Sequence, residues 1–133
     1  MNKRSFLALD VGEKRLGVAI ADTAVKIAVA YDTIDVDGSE FEQIAKIIAM
    51  EDIATVVVGY PRNQQGEPTK QTAFVEEFAN KLQDMAPEIV FQDESLTSVK
   101  AEEFLNRQKR PYEKAEIDAL AASFILQDYL EQL

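Results

Sequence analysis

Three carboxylates stand where a bare negative charge needs a partner. Asp10 interrupts an apolar run, Phe6-Leu7-Ala8-Leu9-Asp10-Val11, and Gly12 follows it. A charged carboxylate at a buried strand end costs on the order of several kcal/mol unless it is paired or metal-bound. Gly12 permits a tight turn or the close approach of a ligand. Asp10 could equally cap that turn or pair with Arg15. Glu94 follows Ile89-Val90-Phe91 in the same manner. Taken alone, it also reads as a solvated loop acid beside Asp93. Asp118 has Ile117, Ala121, Ala122 and Ile125 around it at helical spacing. An acid near a helix N-terminus is stabilised by the helix dipole, although Glu116 could serve that purpose from a more exposed position. If the three acids converge, their mutual repulsion is severe, and a divalent cation removes it. Mg²⁺ or Mn²⁺ bound by a few carboxylates, as one of two ions about 4 Å apart, activates water and stabilises a leaving oxygen.

Composition narrows the alternatives. The chain of 133 residues contains no cysteine and no histidine. Disulfides, thiolate nucleophiles, imidazole bases and sulfur- or histidine-ligated metals are excluded. Carboxylates, lysines, hydroxyls and hard cations remain. The formal net charge of −10 argues against nucleic-acid binding through global electrostatics. Local basic stretches exist at Lys14-Arg15 and at Arg107, Lys109, Arg110 and Lys114; each also reads as solvated surface charge. Nearly half of the residues (47%) are apolar, enough for one core and one domain over residues 1–133. No apolar run is long enough to cross a bilayer. The charged N-terminal start lacks the apolar stretch and cleavage site of a secretory signal. A cytoplasmic protein without a membrane partner is expected, as a monomer or weak homodimer.

The elements that must position the acids can be read from hydrophobic patterning. Ser5–Val11 and Leu16–Ala21 are apolar runs separated by Gly12-Glu13-Lys14-Arg15, and Ile27–Ile34 supplies a third strand. These predict an antiparallel meander. Ser39 with Glu42 has capping-box spacing ahead of Phe41, Ile44, Ala45 and Ile48. The Val-rich run Ala54–Gly59 predicts a buried parallel strand, and Tyr60–Thr69 a loop. Phe74, Val75, Phe78, Ala79 and Leu82 predict a helix that Pro87 ends. Ile89–Phe91 begins a fifth strand, with Gln92-Asp93-Glu94 at or beyond its end. Thr97 or Ser98 is expected to cap a helix carrying Val99, Phe104 and Leu105. After a break at Pro111, a last helix from Lys114 to Leu130 presents Ile117, Leu120, Ala121, Phe124 and Ile125. The result is an α/β fold with a five-stranded mixed sheet, three antiparallel strands followed by two parallel ones, and helices on both faces. Asp10, the loop after Gly59 and Glu94 then all fall at strand carboxyl ends, where such sheets carry their sites.

Four segments in order resemble the motifs of the YqgF family, Holliday-junction-resolvase-like proteins also described as pre-16S rRNA nucleases. The segment from Leu9 to Asp22 is similar to the family's opening motif. Val57–Gly66 is similar to its Gly-x-Pro loop, Gln92–Ala101 to its Asp-Glu-Arg-Leu-Thr/Ser segment, and Ile117–Leu126 to its Val-Asp-x-x-Ala-Ala helix. The resemblance covers essentially the whole chain. It implies a ribonuclease H-like fold, phosphodiester hydrolysis and a role in maturing the 5′ end of pre-16S rRNA. Its acidic catalytic and metal positions fall on Asp10, Glu94 and Asp118, with Arg15, Arg62 and Asn63 near the substrate path. Two departures stand out: Ser95 replaces the usual arginine, and Ala115 replaces the glycine of the usual Lys-Gly before the last motif.

Three other readings compete. One is a Holliday-junction DNA resolvase. Another is a non-catalytic RNA-binding or ribosome-assembly factor on ribosomal particles, favoured by the acidic charge and by Ser95. The third takes Asp10-Val11-Gly12 as the phosphate hairpin of sugar kinases and actin-like ATPases. Those proteins need a second such domain, for which this chain has no room.

Overall fold

Side-chain alternation along the first strand, β1 (Ser5–Val11), requires cover on both faces of the sheet. Leu7, Leu9 and Val11 belong to one buried apolar cluster, and Phe6 and Ala8 to another. The computed structural model describes residues 4–61, 65–94, 97–108 and 111–133. The remaining strands are β2 (Arg15–Asp22), β3 (Val29–Asp35), β4 (Ile53–Pro61) and β5 (Ile89–Glu94), and the helices are α1 (Glu40–Met50), α2 (Lys70–Leu82), α3 (Thr97–Arg107) and α4 (Lys114–Glu131).

The five strands lie in the order β3-β2-β1-β4-β5. β1 pairs antiparallel with β2, and β2 with β3. β4 runs parallel to both β1 and β5. This is the expected mixed sheet. Ile44, Ile47 and Ile48 of α1 and Val75, Phe78 and Leu82 of α2 cover the Leu7–Leu9 face. Ala122, Ile125, Leu126 and Leu130 of α4 cover the Phe6–Ala8 face. α3 packs on the outside of α4, where Phe104 meets Phe124 edge-on at 6.5 Å. A helix covered from two sides needs apolar or small residues around most of its circumference, and α4 buries Ala119, Ala121, Ala122, Ser123, Ile125, Leu126 and Leu130. Among the described residues no helix is long and apolar enough to cross a membrane.

Several local expectations need correction. β3 begins at Val29 rather than Ile27. The Asp22 carboxylate accepts from the backbone N–H groups of Ala24 (3.0 Å) and Val25 (2.9 Å), and Lys26 adopts a positive φ of 62°. That turn leaves Ile27 outside the ladder. Ser39 precedes α1 without a side-chain cap; its hydroxyl donates to Asp37 Oδ1 at 2.6 Å instead. The capping box sits at α2, where Thr69 and Thr72 bond each other's backbone N–H. α2 ends at Leu82, before Pro87 is reached. The expected caps Thr97 and Ser98, and the Val99 side chain, lie outside the described side chains.

Tyr60 and Pro61, expected in a loop, extend β4 and pair with Asp93 and Glu94 of β5. Proline tolerates this position because it is the last residue of its strand, beyond the end of the β1 pairing at Leu9 and Val58. Glu94 is thereby held as the last rung of the sheet.

Candidate active site at the strand ends

The pleat that points Phe6 and Ala8 at α4 points Asp10 the same way, at the carboxyl end of β1. On β2 the residue opposite Asp10 is Gly17, and Arg15 lies two residues earlier on the same side. On β5, Val90 faces the α4 cluster, so Glu94, four residues on, faces it too. Asp118 enters from α4 itself. Asp10, Arg15, Glu94 and Asp118 therefore share one face and one edge of the sheet.

Two glycines set the spacing. A Cβ on Gly17 would lie 1.8 Å from the backbone oxygen of Asp118. Only a residue without a side chain lets α4 come down on β2 at this point, and the contact puts Asp118 over the rung that holds Asp10. A Cβ on Gly59 would lie 2.3 Å from Glu94 Oε2 and 2.7 Å from Ile125 Cδ1. The Glu94 carboxylate thus lies across β4, between its own strand and Asp10. Sequence reasoning gives neither glycine a task. Glycine inside an apolar strand, in Leu16-Gly17-Val18 and Val58-Gly59-Tyr60, is the available signal for close approach.

Electrostatics link the acids into a chain. Burial pushes the Asp10 carboxyl up to about 6, and the Asp118 charge adds to the effect. Burial likewise raises Glu94 to about 7, with Asp10 as the second cause. Glu94 Oε2 is buried without a hydrogen-bond partner among the described residues. Asp118 is engaged from the other side: Arg15 Nε donates to its Oδ2 at 2.6 Å. That bond raises the Arg15 guanidinium above its ordinary value, with the Asp118 charge as a further cause. The hairpin after β1 is closed by the backbone, Gly12 N donating to Arg15 O at 3.1 Å. Arg15 thus pairs with Asp118 rather than with Asp10, which removes the ion-pair alternative for Asp10.

The structure brings together Asp10, Glu94, Asp118 and Arg15. Arg62 and Asn63 lie outside the described residues, as do Ser95, Lys109 and Arg110. Among the described residues no three acids form a ready-made metal cluster, and the Asp118 carboxylate is turned to Arg15. The donor chemistry nevertheless suits a hard cation: carboxylate oxygens only, two of the groups held at raised pKa, and one oxygen buried with no donor to it among the described residues.

A family profile described as "RuvX: Holliday junction resolvase" matches residues 4–132. The chain belongs to this family. It is 43% identical, over 98% of its length and 89% of the relative's, to a protein of Chloroflexus aurantiacus named "Putative pre-16S rRNA nuclease". Relatives of the same name in Sulfurihydrogenibium and Staphylococcus saprophyticus are 39% and 36% identical, covering 96% and 100% of the chain and 90% and 99% of the relatives. Among solved structures, the chain is similar to T. thermophilus RuvC in complex with a Holliday junction substrate, with a TM-score of 0.57, 13% identity, and coverage of 97% of this chain and 94% of that one. It is also similar to fowlpox virus resolvase in a Holliday junction complex, with a TM-score of 0.59, 13% identity, and coverage of 96% and 97%. At such identity the likeness is one of fold, and that fold is ribonuclease H-like.

Proposed function

We propose that this RuvX-family chain, acting as one domain over residues 1–133, is a metal-dependent nuclease that hydrolyses phosphodiester bonds in the cytoplasm. Its substrate is structured RNA, the precursor of 16S ribosomal RNA near its 5′ end, met free or on ribosomal particles by a monomer or weak homodimer. The observation that carries the reading is the buried Glu94 oxygen beside Asp10, without a hydrogen-bond partner among the described residues, on the sheet edge that Asp118 also reaches. Such an arrangement is costly to the fold and is explained by a cation.

Asp10, Glu94 and Asp118 are the groups that would hold Mg²⁺ or Mn²⁺. When bound, two such ions completed by a substrate phosphate supply charge neutralisation, an activated water and stabilisation of the leaving oxygen. Asp10 and Glu94 would give up their protons to hold a cation, since their raised pKa values reflect burial first and then a neighbouring charge, Asp118 for Asp10 and Asp10 for Glu94. Arg15 orients Asp118 and stands at the rim, where a phosphate can reach it. Arg62 and Asn63, following the end of β4, join the substrate path on the strength of the family resemblance.

The test is cleavage of precursor 16S rRNA and of a four-way DNA junction, with Mg²⁺, Mn²⁺ or chelator, by wild type and Asp118→Asn. Metal-dependent cutting of the RNA, lost in the variant, is expected. Preferential cutting of the junction would make the chain a DNA resolvase. Binding of RNA with no cleavage of either substrate would make it an assembly factor.

A further inference from the structure

Asp118 is drawn to two places, and among the described residues it is not gathered with Asp10 and Glu94 into a three-acid cluster. The nuclease reading needs its oxygens with those of Asp10 and Glu94, yet its Oδ2 accepts a 2.6 Å hydrogen bond from Arg15 Nε. The pair is charge-assisted and lies at the rim, with side-chain exposures of 36% for Arg15 and 23% for Asp118. It is therefore accessible from solvent, whereas Asp10 is desolvated and Glu94 keeps a buried oxygen. The backbone of Asp118 cannot retreat, because its carbonyl is pressed on Gly17. Only the side chain can swing. Arg15 is fixed as firmly: its own carbonyl closes the β1–β2 hairpin, and it pairs in the ladder with Asp35.

We infer that Arg15 is a positioning residue that holds the Asp118 side chain off the metal site until a nucleic-acid phosphate takes over its guanidinium. This rests on the nuclease reading of the same site. A guanidinium forks onto a phosphate at least as well as onto a carboxylate. The exchange frees Asp118 when the backbone to be cut arrives, so substrate binding and completion of the cation site are coupled. By linkage, a phosphate bound at Arg15 tightens the cation and the cation tightens the phosphate.

Calorimetric titration with Mn²⁺ alone tests this on wild type, Arg15→Gln, Asp118→Asn and the double variant. Arg15→Gln is expected to bind Mn²⁺ roughly tenfold more tightly than wild type, the scale of a modest coupling. The Asp118→Asn background separates the latch from simple removal of a positive charge. Once Asp118 cannot ligate, the gain from Arg15→Gln should vanish. A short RNA hairpin with phosphorothioate linkages should tighten Mn²⁺ binding to wild type but not to Arg15→Gln. If Arg15→Gln binds Mn²⁺ more weakly, Arg15 presents Asp118 to the metal and the inference is overturned. An equal gain in both backgrounds overturns it too. If wild type binds no Mn²⁺ with or without the hairpin, the nuclease reading itself fails; if it binds and only the cycle is flat, the latch alone fails. Arg15 is partly exposed, and matched melting temperatures establish that the variants fold.

Discussion

The two faces of the sheet are packed by different rules. Toward α1 and α2 the strands present Leu7, Leu9, Val11, Leu16, Val18, Val56 and Val58, all buried and all branched. Toward α4 they present Phe6, Ala8, Asp10, Gly17, Ala19, Val57, Gly59 and Glu94, and α4 answers with Ala119, Ala121, Ala122 and Ser123. The first face removes much apolar area from water and anchors the fold. The second forgoes that volume so that a helix backbone can lie directly on a strand and acids from distant parts of the chain can gather at one edge. A stable sheet and a strained carboxylate group thus share the same strands, on alternate residues.

Substitutions that exchange the rules break this contrast, and the largest effect falls on the aliphatic face. Leu9→Ala should cost about 2–5 kcal/mol in urea unfolding while cleavage per folded molecule is preserved. Asp10→Asn should do the reverse: cleavage is lost and the metal-free protein becomes more stable at pH 8. The gain is at most about 3 kcal/mol, because the carboxyl rises from 3.8 to about 6 and each tenfold change in proton affinity is worth about 1.4 kcal/mol. Asp10 and Glu94 both bind protons more tightly folded than unfolded, so their charged forms oppose folding. Stability of the metal-free chain should be greatest below about pH 4 as far as these groups decide it. It should decline as pH rises through about 6 and about 7. Asp10→Asn flattens the first part of that decline, which unfolding midpoints between pH 4 and pH 8 would reveal.

Gly17→Ala comes next. Its methyl meets the Asp118 carbonyl, which is backbone and cannot rotate away. A cost of about 1–3 kcal/mol is expected, with a fall in cleavage of about 100-fold if α4 shifts by an ångström. Cleavage rate and melting temperature measured together would separate the two losses. The smallest effect belongs to the helix on the other face of the sheet: Thr69→Ala removes the cap of α2 and should cost about 1 kcal/mol, visible in the melting temperature, with cleavage changed far less than by Gly17→Ala.

The same contrast explains how much could be read from the sequence. The succession of elements and the layering were legible because Ser5–Val11 is an apolar run, Val56-Val57-Val58 is a continuous run typical of a buried parallel strand, and Ile44–Ile48 and Phe74–Leu82 repeat at the period of a helix. The spatial order of the strands was not legible. Asp10 was legible because it breaks such a pattern. Glu94 read only as lying at or beyond a strand end, because Pro61 made the partner segment look like a loop, whereas Pro61 pairs with Glu94. The engagement of Asp118 with Arg15 spans 103 positions, and no local pattern records it. The α1 start misled because Ser39 bonds Asp37 rather than the helix.

The most direct test of this account is the melting temperature of wild type and Asp10→Asn at pH 8, each with Mn²⁺ and with chelator. In chelator, Asp10→Asn should melt higher than wild type. Mn²⁺ should raise wild type by several degrees, as binding to the folded state alone requires, and leave Asp10→Asn unmoved. If Asp10→Asn melts lower in chelator, or gains as much from Mn²⁺ as wild type does, the α4 face does not hold its acids for a cation.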